Sequence, residues 1–121
     1  MKLTGKDLGK WGEDQAARYL AAKGVVIIER NIQTEYGEID LLGIIDDCLL
    51  FIEVKTRQTK KYGFPEVSVN KLKMNHMIKA ALKYIQDHDN LLNDWRIDVI
   101  SIELNTKKEI EIKWFQNVAT E

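Results

Sequence analysis

Two apolar segments joined by Asp46-Asp47 constrain this chain more than anything else in it. Gly37 to Ile44 precedes the two aspartates, and Leu49 to Lys55 follows them. A symmetric turn about Asp46 and Asp47 pairs residues whose numbers sum to 93. Asp40 is then expected opposite Glu53, and Glu38 opposite Lys55. Opposed side chains share one face of a hairpin, with Cβ atoms roughly 5 Å apart. Like charges placed so close repel, and both segments are otherwise apolar enough to be buried. The simplest partner for Asp40 and Glu53 is a divalent cation held by oxygen ligands, with Lys55 beside it. The alternative is a cross-strand salt-bridge cluster, which leaves one carboxylate in excess.

The chain's 121 residues suffice for one domain, residues 1–121, with a substantial core. A content of 45% hydrophobic and 31% charged residues points to an ordinary globular protein. One cysteine excludes an internal disulfide framework, so a reducing cytoplasm is expected. No stretch approaches the ~20 apolar residues of a membrane span, and Met1 to Lys10 lacks the apolar core of a signal peptide. The net charge of −1 hides an asymmetry. Between Lys55 and Lys83 there are eight basic residues and one acid, Glu66. A basic surface beside an acidic pair suits an enzyme acting on a polyanion. A solvated helix face is the plainer explanation for the helical lysines.

Periodicity predicts the order αβββαββ. A first helix is expected from Thr4 to Lys23, capped by Thr4, with Leu8, Trp11, Ala16, Tyr19 and Leu20 inward. Gly24 stops it. A strand from Val25 to Gln33 leads through Glu35-Tyr36-Gly37 into the acidic hairpin. Lys60 to Pro65 reads as a loop. A second helix is expected from Ser68 to Asp87, with Met74, Met77, Ile78, Ala81 and Ile85 as its apolar stripe. Ile97 to Ile102 is a fourth strand, and Glu109 to Phe115 a fifth. A mixed sheet covered by two helices is the economical packing, an α/β fold. The second hairpin strand is apolar on both faces at its start, so it is central. Its charges, Glu53, Lys55 and Arg57, come as it exits.

Glu53-Val54-Lys55, 13 positions after Asp40, resembles the active-site motif of the PD-(D/E)xK nuclease superfamily. A longer series accompanies it. Gly9, Gly12-Glu13, Ala16, Tyr19-Leu20, Gly24 and Asn31 precede Gly37-Glu38-Ile39-Asp40-Leu41-Leu42. Phe51-Ile52-Glu53-Val54-Lys55-Thr56-Arg57, Gly63, Lys71 and Arg96-Ile97-Asp98 follow. The series is similar to the YraN-like family of small bacterial proteins within that superfamily, and it spans most of the chain. The resemblance implies a restriction-endonuclease-like mixed sheet flanked by two helices. It implies that Asp40 and Glu53 ligate Mg²⁺ or Mn²⁺, with the Val54 carbonyl as a further ligand. Lys55 would position or deprotonate the attacking water. Ile39 stands where the superfamily's name has proline, and Gln33 where a basic residue is expected.

Glu13 shares a helix face with Gly9, Ala16, Ala17 and Leu20, so it points toward the sheet. The resemblance implies that it completes the metal site; pairing with Lys10 or Arg18 is the alternative. Lys71 and Lys73 lie in the first turns of the second helix, where cations oppose the dipole unless a phosphate docks there. Arg57 and Gln58, just past the motif, are candidate backbone contacts. Asp98, within an apolar strand, is expected to pair with Arg96 or a lysine. His76, His88 and Cys48 lack the spacing of a zinc site or a Cys–His pair. Trp11, Trp95 and Trp114 are expected to fill the core or an interface.

The expected function is a metal-dependent endonuclease that hydrolyses structured or single-stranded DNA, with DNA favoured over RNA. A homodimer or a targeting partner is expected to assist, with Trp114 and Phe115 near a sheet edge. The alternatives are a non-catalytic nucleic-acid-binding module or a partner-binding adaptor on the same fold.

Overall fold

The computed structural model describes residues 4–59, 71–88 and 94–119. The expected loop from Lys60 to Pro65 and the expected helix start at Ser68 lie outside them. Helix α1 runs Gly5–Ala22, and the side chain of Thr4 caps it by accepting from the Asp7 N–H at 3.2 Å. Strands β1 (Val26–Thr34), β2 (Gly37–Ile45) and β3 (Cys48–Thr59) follow. Helix α2 (Lys71–Asp87) then precedes β4 (Asp94–Asn105) and β5 (Ile110–Phe115). The order αβββαββ stands as expected.

The five strands lie in the order β1-β2-β3-β4-β5, so β3 is central and β5 is an edge. Asp46 and Asp47 have φ of 50° and 60°. Two successive positive φ values make the type I′ turn whose twist matches a tight hairpin. The turn fixes the β2–β3 register, from Ile45↔Cys48 to Leu41↔Ile52, and each pair sums to 93 as the sequence predicts. β3 and β4 are parallel from Cys48↔Asp94 to Thr59↔Asn105. Parallel neighbours need a crossover connection, and α2 lies in it.

Each face of the sheet carries a helix. Leu41, Leu50, Ile52, Ile100 and Ile102 pack with Ala16 and Leu20 of α1. Leu42, Leu49, Phe51 and Ile97 pack with Ala80, Ala81 and Tyr84 of α2. Met74, Met77, Ile78 and Ile85 join this second cluster, completing the predicted stripe. Gly12 sets the α1–sheet distance: a Cβ there would lie 1.9 Å from Thr56 Oγ1, so only glycine permits the approach. Trp11 and Trp114 pack on the α1 side, and Trp95 meets Phe51 edge-on at 5.9 Å. Asp98 is fully buried. It accepts from Arg96 Nε at 3.0 Å, Trp114 Nε1 at 2.9 Å and the Asn117 N–H at 2.8 Å. Its role is structural, with Arg96 as the expected partner.

Candidate active site

The β2–β3 ladder stops one residue short of the acids. Its last pair is Leu41↔Ile52, so the expected Asp40↔Glu53 and Glu38↔Lys55 pairs do not form as ladder partners. Asp40 instead turns its carboxylate onto β3, and Oδ2 accepts from the Val54 N–H at 2.8 Å. A side chain thus replaces the backbone carbonyl that a regular ladder would offer. The neighbouring strand is irregular at the same level. Asn31 has φ 53°, and the β1–β2 ladder passes from Arg30↔Leu41 to Ile32↔Ile39. Residues two apart on a regular strand share a face. Here Leu41 joins the α1 side and Ile39 the α2 side. Asn31 and Asp40 sit at this change of face, and the acids gather beside them.

Three carboxylates meet there. Oxygens of Glu13, Glu38 and Asp40 lie within 4.8 Å of one another. Asn31 Nδ2 joins two of them, donating to Glu13 Oε1 at 2.8 Å and to Glu38 Oε1 at 2.9 Å. Gln33 Nε2 donates to the other Glu38 oxygen at 2.8 Å. Glu13 is half-buried and faces the sheet as its helical position predicts, while Asp14 beside it takes Arg30 at 2.7 Å. Burial pushes the Asp40 carboxyl up to about 7, against the pull of the Val54 N–H and helped by the charges of Glu13, Glu53 and Glu38.

Glu53 stands outside that trio, on the α2 side of β3. Its Oε1 makes an ion pair with Lys73. Its Oε2 is buried and has no hydrogen-bond partner among the described residues. Lys55, two residues on, shares this face and is half-buried. The N–H and C=O of one residue point to the same side of a strand. The Val54 carbonyl therefore faces the Asp40 side, as its N–H does. A cavity of about 500 Å³ is lined by Tyr36, Glu38, Asp40, Glu53, Lys73 and His76, among others. A second, of about 480 Å³, lies beyond Glu38 and includes Glu13, Asn31, Arg30, Lys6 and Lys10 in its walls.

The candidate polyanion contacts are spread more widely. Lys71 is exposed and opens the described part of α2. Arg57 is half-exposed, with Nη2 3.7 Å from Glu103 Oε2 on the neighbouring strand. Gln58 is exposed beyond it. Sequence reasoning placed Glu38 against Lys55 and gave Asn31 and Gln33 no role at the acids. Their alternation, polar at 31 and 33 beside apolar Ile32, was the available signal.

An oxygen-only donor set, with one buried oxygen unpartnered among the described residues, is chemically suited to a hard divalent cation such as Mg²⁺ or Mn²⁺. Among the described residues, no helix is long and apolar enough to cross a membrane.

Residues 12–102 match the uncharacterised protein family UPF0102. A UPF0102 protein of Syntrophomonas wolfei is 43% identical over 97 residues, which are 80% of this chain and 84% of that protein. One from Dictyoglomus turgidum is 36% identical over 112 residues, 93% of this chain and 94% of that protein. One from Clostridium kluyveri is 42% identical over 110 residues, 91% and 90% of the two chains. The chain belongs to UPF0102, the YraN-like family of small bacterial proteins.

Proposed function

We propose that this member of UPF0102 is a divalent-metal-dependent phosphodiesterase that cleaves nucleic acid, DNA rather than RNA, in the reducing cytoplasm. The observation that carries it is the convergence of Glu13, Glu38 and Asp40 within 4.8 Å, beside a Glu53 with one buried oxygen that has no partner among the described residues. A cation bound there would offset such a concentration of carboxylates, with Asp40 raised to about 7. Asp40, Glu53, Glu13 and the Val54 carbonyl would hold Mg²⁺ or Mn²⁺. The bound ion would activate water and neutralise charge on the scissile phosphate.

The protein's own groups do the rest. Val54 fixes the Asp40 carboxylate by its N–H, and Asn31 fixes Glu13 and Glu38 by its amide. Lys55, on a central strand, orients or deprotonates the attacking water and faces the developing negative charge. Lys71, Lys73, Arg57 and Gln58 would contact phosphates along the substrate. A homodimer or a targeting partner seated at the β5 edge belongs to the same proposal.

The Lys73–Glu53 ion pair favours a second reading, a non-catalytic nucleic-acid-binding module in which the ammonium takes the cation's place. Incubation with Mn²⁺ and end-labelled duplex, single-stranded, flap, junction and RNA substrates decides between them, with Asp40→Asn run alongside. Cleavage by the wild type alone supports the nuclease. Intact substrates throughout, with salt-sensitive binding retained, support the binding module.

A further inference from the structure

The cavity at Asp40 and Glu53 has a mixed lining. Glu38, Asp40, Glu53 and Lys73 contribute charge, and Tyr36, Leu72, Met77 and Ala80 contribute a ring and apolar side chains. Its volume of about 500 Å³ falls in the range of sites that take a single small molecule, roughly 300–1,000 Å³. A single nucleotide is a ligand of that class.

Tyr36 is a part of this lining that the cleavage chemistry does not use. It sits in the β1–β2 turn with 38% of its surface exposed. Thr34 braces the turn: its Oγ1 accepts from the Tyr36 N–H at 3.1 Å and donates to the Gly37 carbonyl at 2.7 Å. Gly37, at φ 134°, supplies the backbone shape that other residues rarely adopt. Lys79 of α2 lies over the ring at 5.9 Å from its centroid, a cation–π contact that favours one ring position. The ring is thus held in the lining of the cavity, just before β2 and close in sequence to Glu38 and Asp40.

We propose that this cavity receives one unpaired nucleotide of a DNA strand, with its base stacked on Tyr36 and its phosphate turned toward the acids. This rests on the nuclease proposal for the identity of the polymer and adds the substrate class. Base stacking on an aromatic ring tolerates any sequence, because every base has a π-face. The apolar side chains of Leu72 and Met77 suit the base, whereas the carboxylates repel a phosphate unless a cation lies between. A base inside a duplex would first have to leave its stack, so single strands and frayed ends bind better.

The test is equilibrium binding of a labelled short single strand and of a blunt hairpin duplex, by fluorescence anisotropy in Ca²⁺. Wild type, Tyr36→Phe and Tyr36→Ala are compared, each shown to be folded by its thermal melt. The wild type and Tyr36→Phe should bind the single strand alike and better than the duplex. Tyr36→Ala should lose roughly tenfold for the single strand, the scale of one base stack, and nothing for the duplex. Unchanged single-strand binding by Tyr36→Ala, or an equal loss on both DNAs, overturns the nucleotide pocket. Cleavage in Mn²⁺ is scored separately. If wild type fails to cleave while the Tyr36-dependent preference persists, the nuclease is lost and the pocket stands. If cleavage persists without that preference, the pocket alone is lost.

Discussion

Asp40 Oδ2 accepts a hydrogen bond from the Val54 N–H at 2.8 Å, at the point where strands β2 and β3 stop pairing. One carboxylate thus closes the ladder and opens the acidic site. The closing role needs only an acceptor, whereas metal binding needs the charge. Near pH 4, where the native Asp40 carboxyl still holds its proton, Asp40→Asn keeps the acceptor and should unfold in urea near the wild-type midpoint; at neutral pH it should lose Mn²⁺ affinity. Asp40→Leu removes both, strands the Val54 N–H, and should cost about 1–3 kcal/mol. Urea melts of the two variants separate the roles.

Stability should fall as pH rises across the range set by Asp40. Its pKa is raised from 3.8 to about 7, chiefly by burial. Between those values the native state keeps a proton that the unfolded chain has released. The proton favours the native state at low pH, and the stabilisation disappears as pH climbs through the native pKa. The slope is at most about 1.4 kcal/mol per pH unit. Other groups titrate in the same range, so the quantity to measure is the difference between wild type and Asp40→Asn. Without metal, the wild type should lose more stability than Asp40→Asn from pH 5 to pH 8, since ~1.4 kcal/mol accrues per unit over much of that window. Saturating Mn²⁺ should shrink the difference, because the ion takes the proton's place.

Gly12 couples the core to the site. A Cβ at Gly12 would lie 1.9 Å from Thr56 Oγ1 and 2.8 Å from Thr56 Cβ, so Gly12→Ala forces α1 off the sheet. The expected cost is about 1–3 kcal/mol, in the range of overpacked cores. Glu13 moves with the helix, so Mn²⁺ affinity should drop as well. Gly9→Ala is the control. Its Cβ would meet nothing within 4 Å, and it should stabilise α1 by up to about 1 kcal/mol without touching metal affinity.

Asp98 and Glu13 should separate cleanly in a comparison of stability with function. Asp98→Ala strips the buried acceptor from Arg96, Trp114 and Asn117 and should cost roughly 3–5 kcal/mol. Mn²⁺ affinity of the folded fraction should not change. Glu13→Gln should do the reverse, lowering Mn²⁺ affinity with a small change in stability. Calorimetric titration and denaturant melts on both variants supply the four numbers needed.

Much of this architecture is readable from residue order. The Asp46-Asp47 turn fixes the hairpin register through to Leu41↔Ile52, because a two-residue loop leaves no slack. The α2 stripe follows from apolar spacing, and the inward aim of Glu13 from its position among small residues. The parting of the strands beyond Leu41 was not readable. It depends on Asn31 adopting a left-handed φ of 53° and on a side chain taking over a backbone hydrogen bond. Neither leaves a periodic trace, so symmetric pairing put Glu38 opposite Lys55 when Asn31 and Gln33 hold it. The Lys73–Glu53 ion pair bridges elements far apart in sequence, and only the fold brings them together.

The most direct test of the metal centre is a calorimetric titration of Mn²⁺ into the wild-type protein, with Asp40→Asn and Glu53→Gln beside it. Saturable binding by the wild type, weakened at least tenfold in both variants, is the expected result; ~1.4 kcal/mol corresponds to each factor of ten. A wild type that takes up no Mn²⁺, or variants that bind it as tightly as the wild type, would contradict a metal-dependent site at these carboxylates.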